Sequence, residues 1–228
     1  MNLTTAILIP ARYNSSRFPG KALAPLNGVP MVRRVYERCR ATGFDTYVLT
    51  DDERIAALFE DGVAVMTSPN HENGTSRCIE VMLDRLKYRR YINVQGDIPD
   101  ITVDIIKKVE SALDVNYVAT AYTDMCEQDQ QDPNVVKLLH NDRYAHWFLR
   151  APLHYGDRHL GVYGYSATAK IMYPKNPTRF ESMEKLEQLR WLDCGVRLGV
   201  VKVDFDGVEI NTPEDAVRWH EKNRSCGK

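Results

Sequence analysis

Ala6-Ile7-Leu8-Ile9 is an apolar run of strand length that breaks at Pro10 into a loop carrying Arg12, Arg17 and Lys21. Ser15 and Ser16 lie among these charges, and Pro19-Gly20 supplies a turn. A buried strand ending in a cationic loop is how an open α/β sheet presents phosphate-binding groups at the carboxyl ends of its strands. Three cations in one short loop repel one another unless an anion sits between them. The loop is not a Walker P-loop, because G-x-x-x-x-G-K-[ST] occurs nowhere in the chain.

The rest of the chain fits that beginning. With 228 residues it suits one large domain, or one domain with a small appendage, and is long enough to bury a full core. The 30 basic residues are offset by 31 acidic ones, which argues against general nucleic-acid affinity. Local positive clusters must then be balanced by acidic ones, as a metal-assisted site for an anionic substrate requires. Cys39, Cys78, Cys126, Cys194 and Cys226 form no C-x-x-C pair, so neither a zinc knuckle nor a disulfide framework is expected. The first apolar run is too short for a secretion signal, and no run approaches a bilayer span of about 20 residues. A cytoplasmic protein is expected.

Read in order, Thr5–Ile9 is a first strand, and Met31, Val32, Val35, Tyr36 and Cys39 recur at helical spacing before Gly43 ends that helix. Strands follow at 46–49, 63–66, 91–94 and 117–121. Helices lie between them: one capped by Thr50-Asp51-Asp52 and reaching Phe59, one after the polar loop His71–Arg77, and one over 101–113. This β-α alternation predicts a Rossmann-like, mostly parallel α/β sheet covered on both faces. Strands at 135–139, 144–149 and 160–165 with little helix between them predict an inserted antiparallel lobe over about 124–165 within a single domain. Phe180, Met183, Leu186, Leu189 and Leu192 predict one helix. Val196–Val203 is a last strand, and Thr212-Pro213-Glu214-Asp215 opens the final helix with Thr212 as cap.

Asp97, just after the strand 91–94, is the best candidate for holding Mg²⁺ against phosphate oxygens. A second acidic cluster, Asp204 to Asp215, could share a metal with it if the strand from Val196 lies beside that of Asp97. His71, Gly74, Thr75 and Arg77 precede a helix whose amino end favours anions or electron-rich base edges. Arg150 follows a strand, His159, Tyr163 and Tyr165 share a strand, and Glu187 and Gln188 lie on the polar shoulder of the predicted helix. Each of these also has a plain structural reading as cap, core ring or solvated face.

Together these segments resemble the CMP-sugar-acid synthetases, and among them the 3-deoxy-manno-octulosonate (Kdo) cytidylyltransferase family. The resemblance is carried by 9–12 with Gly20-Lys21, His71-x-x-Gly74-Thr75-x-Arg77, Asn93–Asp97, Pro133–Lys137, Arg158–Tyr165, Leu186–Arg190 and Asn211–Asp215, all in order. It implies a homodimer that transfers CMP from CTP to a sugar acid with Mg²⁺, feeding lipopolysaccharide or related surface glycans. It assigns catalysis to Arg12, Lys21 and Asp97, and the nucleotide to Ala11, Arg12, Ser16, Arg17, Lys21, His71, Gly74, Thr75 and Arg77. The sugar acid falls to Gln95, Arg150, His159, Tyr163, Glu187 and Gln188, and the metal to Asp97 and Asn211. Two further readings are a CMP-nonulosonate synthetase and a nucleotide-binding pseudoenzyme. This sequence departs from the family pattern in three places. Ile98 replaces a glutamate, Asn211 replaces the second metal aspartate, and the segment from Arg150 to Arg158 is shorter than usual. Asn211 predicts weaker metal binding, help from a neighbour such as Glu209, or a changed role.

Overall fold

The computed structural model describes residues 4–15 and 17–225. Its chain runs β1 (Thr5–Pro10), a 3-10 turn (Lys21–Leu23), β2 (Pro25–Leu26), β3 (Val29–Pro30), α1 (Met31–Arg40), β4 (Asp45–Thr50), α2 (Glu53–Ala56), β5 (Ala64–Met66) and α3 (Gly74–Asp84). Then come β6 (Arg90–Val94), α4 (Val103–Ala112), β7 (Val118–Thr123), α5 (Glu127–Gln131), β8 (Lys137–His140), β9 (Ala145–Leu149) and β10 (Asp157–Ser166). The chain finishes with α6 (Ala169–Met172), α7 (Arg179–Glu184), α8 (Leu189–Asp193), β11 (Leu198–Lys202) and α9 (Pro213–Ser225).

The main sheet has the order β11-β7-β10-β6-β1-β4-β5, with β8 joined to the start of β10 and β9 to β8. Along the seven-strand order neighbours pair in parallel except at β10, which is antiparallel to both β6 and β7, and the added β8 and β9 pair antiparallel. Strand alternation distributes side chains to two core layers. In β1, Ala6 and Leu8 face a layer built with α3 and α8, whereas Ile7 and Ile9 face one built with α1 and α4. Helices thus cover both faces, as the β-α rhythm predicts.

The antiparallel segment expected over about 124–165 ends differently from a lobe laid over the sheet. Its last strand, β10, runs through the sheet between β6 and β7. Burial on both faces makes the middle of β10, Leu160–Tyr165, a run without charged side chains, and such a pattern carries no strand direction. The helix predicted through Leu192 is two short helices instead. Lys185 adopts the left-handed conformation (φ 56°) between them, leaving Phe180 and Met183 exposed. The helix expected to reach Phe59 stops at Ala56, and Leu58 and Phe59 continue with i→i−3 turns. Gly43, at φ 82°, ends α1 as expected. The final helix starts as predicted: Asp215 accepts from the Thr212 amide at 2.9 Å, and its own amide donates to the Thr212 hydroxyl. Among the described residues no helix is long and apolar enough to cross a membrane.

Candidate active site

The carboxyl ends of β1, β4 and β6 open on one edge of the sheet. The amino-terminal half of β10 joins them there because that strand runs the other way. Two adjoining cavities, of about 210 and 510 Å³, occupy this edge. The smaller is walled by the loop after β1 (Ala11, Arg12, Ser15, Arg17, Lys21), by His71, Gly74 and Arg77, and by Asp97. The larger is walled by Arg150, His159, Gly161 and Tyr163, by Glu181 and Lys185–Gln188, and by Glu209. Arg12, Asn73, Gly74, Gln95, Asp97 and Asn211 line both. Ser16 lies outside the described residues.

The cationic loop finds its balancing charge in Asp97, whose Oδ2 accepts from Lys21 Nζ at 2.7 Å. Arg17 donates to the side-chain carbonyls of Asn134 at 2.6 Å and Asn211 at 2.9 Å. Arg12 is exposed on the cavity wall and makes no ion pair among the described residues. Arg77 is buried, donating to the Thr67 hydroxyl and to Asp51 at 3.2 Å. His71 pairs with Glu80.

Gln95 sits in a slot made by two glycines. A Cβ on Gly74 would come 3.0 Å from Gln95 Nε2, and one on Gly161 would come 2.9 Å from Gln95 Cγ. Both positions therefore favour residues without a side chain. Thr75, expected at the nucleotide, lines neither cavity. Its side chain is buried, and its hydroxyl donates to Glu187 Oε1 at 2.6 Å. Glu187 and Gln188 belong to the turn between α7 and α8, not to the shoulder of a long helix. Gln188 is buried, and burial pushes the Glu187 carboxyl upward.

Asp97 and the acidic tail segment meet, but not through adjacent strands. β7 and β10 separate β11 from β6. The chain beyond β11 doubles back, and the Ile210 amide donates to the Asp97 carbonyl at 2.9 Å, setting Glu209 and Asn211 beside Asp97. Glu209 is a functional candidate that the motif assignments left out. It accepts from Arg158 at 3.3 Å and from the Gly161 amide at 3.2 Å. Burial raises its pKa, Arg158 opposes that rise and the charge of Asp97 adds to it. Its place two residues before Asn211, in an acidic stretch, was the available signal. Asn134 also escaped notice, although its motif was recognised. Ile98 packs into the core, so its apolar side chain suits where it lies.

His159 is buried, and its Nε2 is 2.9 Å from the Thr120 hydroxyl, which gives its own proton to the Val162 carbonyl at 2.8 Å. Desolvation, reinforced by Arg150, lowers its pKa to about 3, so the ring is neutral. Burial likewise lowers the pKa of Arg150, helped by the nearby charge of Arg17.

A cationic compartment suits a phosphate chain, a neighbouring compartment of carboxylates, amides and rings suits a polyhydroxylated acceptor, and both meet at one carboxylate. A sheet of this order binds ligands at the carboxyl ends of its strands, and that combination fits a nucleotidyltransferase. Comparison narrows the class: a family model described as cytidylyltransferase matches residues 6–198, and the chain belongs to that family. It is 41% identical to the 8-amino-3,8-dideoxy-manno-octulosonate cytidylyltransferase of Shewanella oneidensis, over 94% of this chain and 96% of that protein. It also resembles the structure of CMP:2-keto-3-deoxy-manno-octonic acid synthetase complexed with CTP, with TM-score 0.87 and 32% identity. That match covers 97% of this chain and 99% of the other. The inositol-1-phosphate CTP transferase of T. maritima shares the fold, with TM-score 0.70 at 13% identity over 93% of this chain and 91% of its own.

Proposed function

We propose that this cytidylyltransferase transfers CMP from CTP to the anomeric hydroxyl of an eight-carbon sugar acid, Kdo or its 8-amino relative, with release of pyrophosphate. The observation that carries this reading is the pair of cavities joined at Asp97, considered with relatives that span nearly the whole chain. In the reaction the sugar hydroxyl oxygen attacks the α-phosphorus and gives up its proton to solvent, the bond from that phosphorus to the bridging oxygen breaks, and pyrophosphate departs. The chain's task is positioning and charge neutralisation. Arg12, Arg17 and Lys21 hold the triphosphate and offset the charge of the leaving group. Ala11, His71, Gly74 and Arg77 shape the nucleotide's seat, Thr75 supports it from behind, and the family resemblance assigns Ser16 to the nucleotide as well. Arg150 meets the sugar carboxylate with a charge-assisted bond. Gln95, neutral His159, Tyr163, Glu187 and Gln188 form the wall against which the sugar is oriented.

The donor set suits Mg²⁺. Among the described residues no group of three or more His, Cys, Asp or Glu side chains closes a cage. Mg²⁺ needs none, since it is commonly held by one or two carboxylates and completed by substrate phosphates and water. Asp97 supplies the carboxylate, with the Asn211 carbonyl and Glu209 beside it on the same walls. When bound, the ion supplies positive charge at the phosphate oxygens. Homodimerisation, a cytoplasmic location, a sugar-binding and dimer-forming role for the segment 124–165 and a product destined for lipopolysaccharide complete the proposal.

Pyrophosphate release from CTP and Mg²⁺ should be followed with Kdo, 8-amino-Kdo and N-acetylneuraminate in parallel. Release with the eight-carbon acids, absent with N-acetylneuraminate and abolished by EDTA, is expected. Release with N-acetylneuraminate alone would make the chain a nonulosonate enzyme. CTP binding without release from any acid would make it a pseudoenzyme.

A further inference from the structure

The two cavities are connected behind their walls as well as at Asp97. Glu187, on the wall of the larger cavity, directs both carboxylate oxygens to Thr75. Oε1 accepts from the Thr75 hydroxyl at 2.6 Å and Oε2 from the Thr75 amide at 3.3 Å. Thr75 is the second residue of α3, whose cap Asn73 and first residue Gly74 line the smaller cavity. The Thr75 hydroxyl also lies 3.2 Å from the Tyr165 hydroxyl, so it takes that proton while giving its own to Glu187. No cation reaches ion-pair distance of Glu187 among the described residues. Arg190, whose positive charge is felt at Glu187, is itself paired with Glu181 and Glu72. The amino end of α3 and one hydroxyl therefore hold this carboxylate.

We propose that the Thr75–Glu187 pair is a positioning link through which an occupied nucleotide cavity tightens the acceptor cavity. The proposal rests on the functional reading above, with the nucleotide in the smaller cavity and the sugar acid in the larger. A nucleotide seated against Asn73 and Gly74 fixes the first turn of α3, hence Thr75, hence the orientation of Glu187 on the acceptor wall. Linkage makes the effect reciprocal, so the sugar acid tightens the nucleotide by the same factor. Neither residue needs to touch the reacting atoms.

The test is calorimetric titration of 8-amino-Kdo and of Kdo into the protein, with and without a CTP analogue whose α–β bridge cannot be cleaved. In the wild type the analogue should tighten the acid by about tenfold, the scale of one hydrogen bond to a charged group. Thr75→Val, which removes the hydroxyl but keeps the shape, should bring that ratio close to one. Thr75→Ser should keep it. Glu187→Gln, which tests the same contact from the other side, should also lower the ratio. A Thr75→Val protein with the wild-type ratio would overturn the link. So would a Glu187→Gln protein whose affinity for the acid falls equally with and without the analogue, since that is the behaviour of a direct ligand alone. A wild type that binds neither acid would overturn the functional reading and the link with it, an outcome separable because it precedes any variant.

Discussion

The Thr120 hydroxyl has one proton, and it goes to the Val162 carbonyl. The nitrogen 2.9 Å from that hydroxyl, His159 Nε2, must therefore carry hydrogen and donate it, which leaves Nδ1 as an acceptor. This fixes the tautomer and explains why protonating the ring is costly: the cation would be buried beside Arg150. The folded-state pKa, lowered to about 3, lies below the ordinary value near 6.5, so the unfolded chain binds the proton first. The stabilising contribution is present above pH 6.5 and is lost as pH falls from there towards 3, by at most about 1.4 kcal/mol per pH unit. Denaturant unfolding at pH 7 and pH 5 should show a smaller loss on acidification in His159→Gln than in the wild type. Equal losses would contradict the assignment. At this scale the sequence was informative where charge was concentrated. Arg12, Lys21, Arg77 and Asp97 all line the smaller cavity. It was less informative about partners, because whether Thr75 faces a ligand or Glu187 depends on a contact across a sequence separation of 112 residues.

At the scale of elements, the long helix predicted over Phe180–Leu192 failed for a physical reason. Its apolar spacing is real, but Lys185 turns left-handed, and α7 and α8 fold onto each other through a buried ion pair. Arg190 donates from Nε to one Glu181 oxygen at 2.5 Å and from Nη2 to the other at 2.6 Å. Both side chains are almost wholly enclosed, at 2% and 8% exposure. Periodicity registers apolar faces and is blind to a charged pair that supports a break. Removing Glu181 leaves the buried Arg190 with only the exposed Glu72 carboxylate, at 3.3 Å, to pair with among the described residues, so Glu181→Ala should cost about 3 kcal/mol in equilibrium unfolding. A cost below about 1 kcal/mol would show that the pair is not what clasps the two helices. β10 teaches the same lesson for strands: its residues mark it as a strand, while its direction is set by the partners on either side.

At the scale of the whole molecule, the site depends on a return of the chain. The strand order keeps β11 away from β6, yet the Ile210 amide reaches the Asp97 carbonyl. Asp100 secures the same return by accepting from the Val208 amide at 3.2 Å and from Trp219 Nε1 at 2.8 Å. The family resemblance assigned one metal to Asp97 and Asn211, and only the tertiary clasp shows how the two segments meet. On the proposed function, Asp97, held against Lys21 where the two cavities join, organises CMP transfer. The most direct measurement is the rate of pyrophosphate release from CTP that depends on added sugar acid, in the wild type and in Asp97→Asn, with CTP binding measured on both. Acid-dependent release is expected in the wild type, with a loss of about 10²–10³-fold in a variant that still folds and binds CTP. Release by Asp97→Asn at the wild-type rate would contradict it.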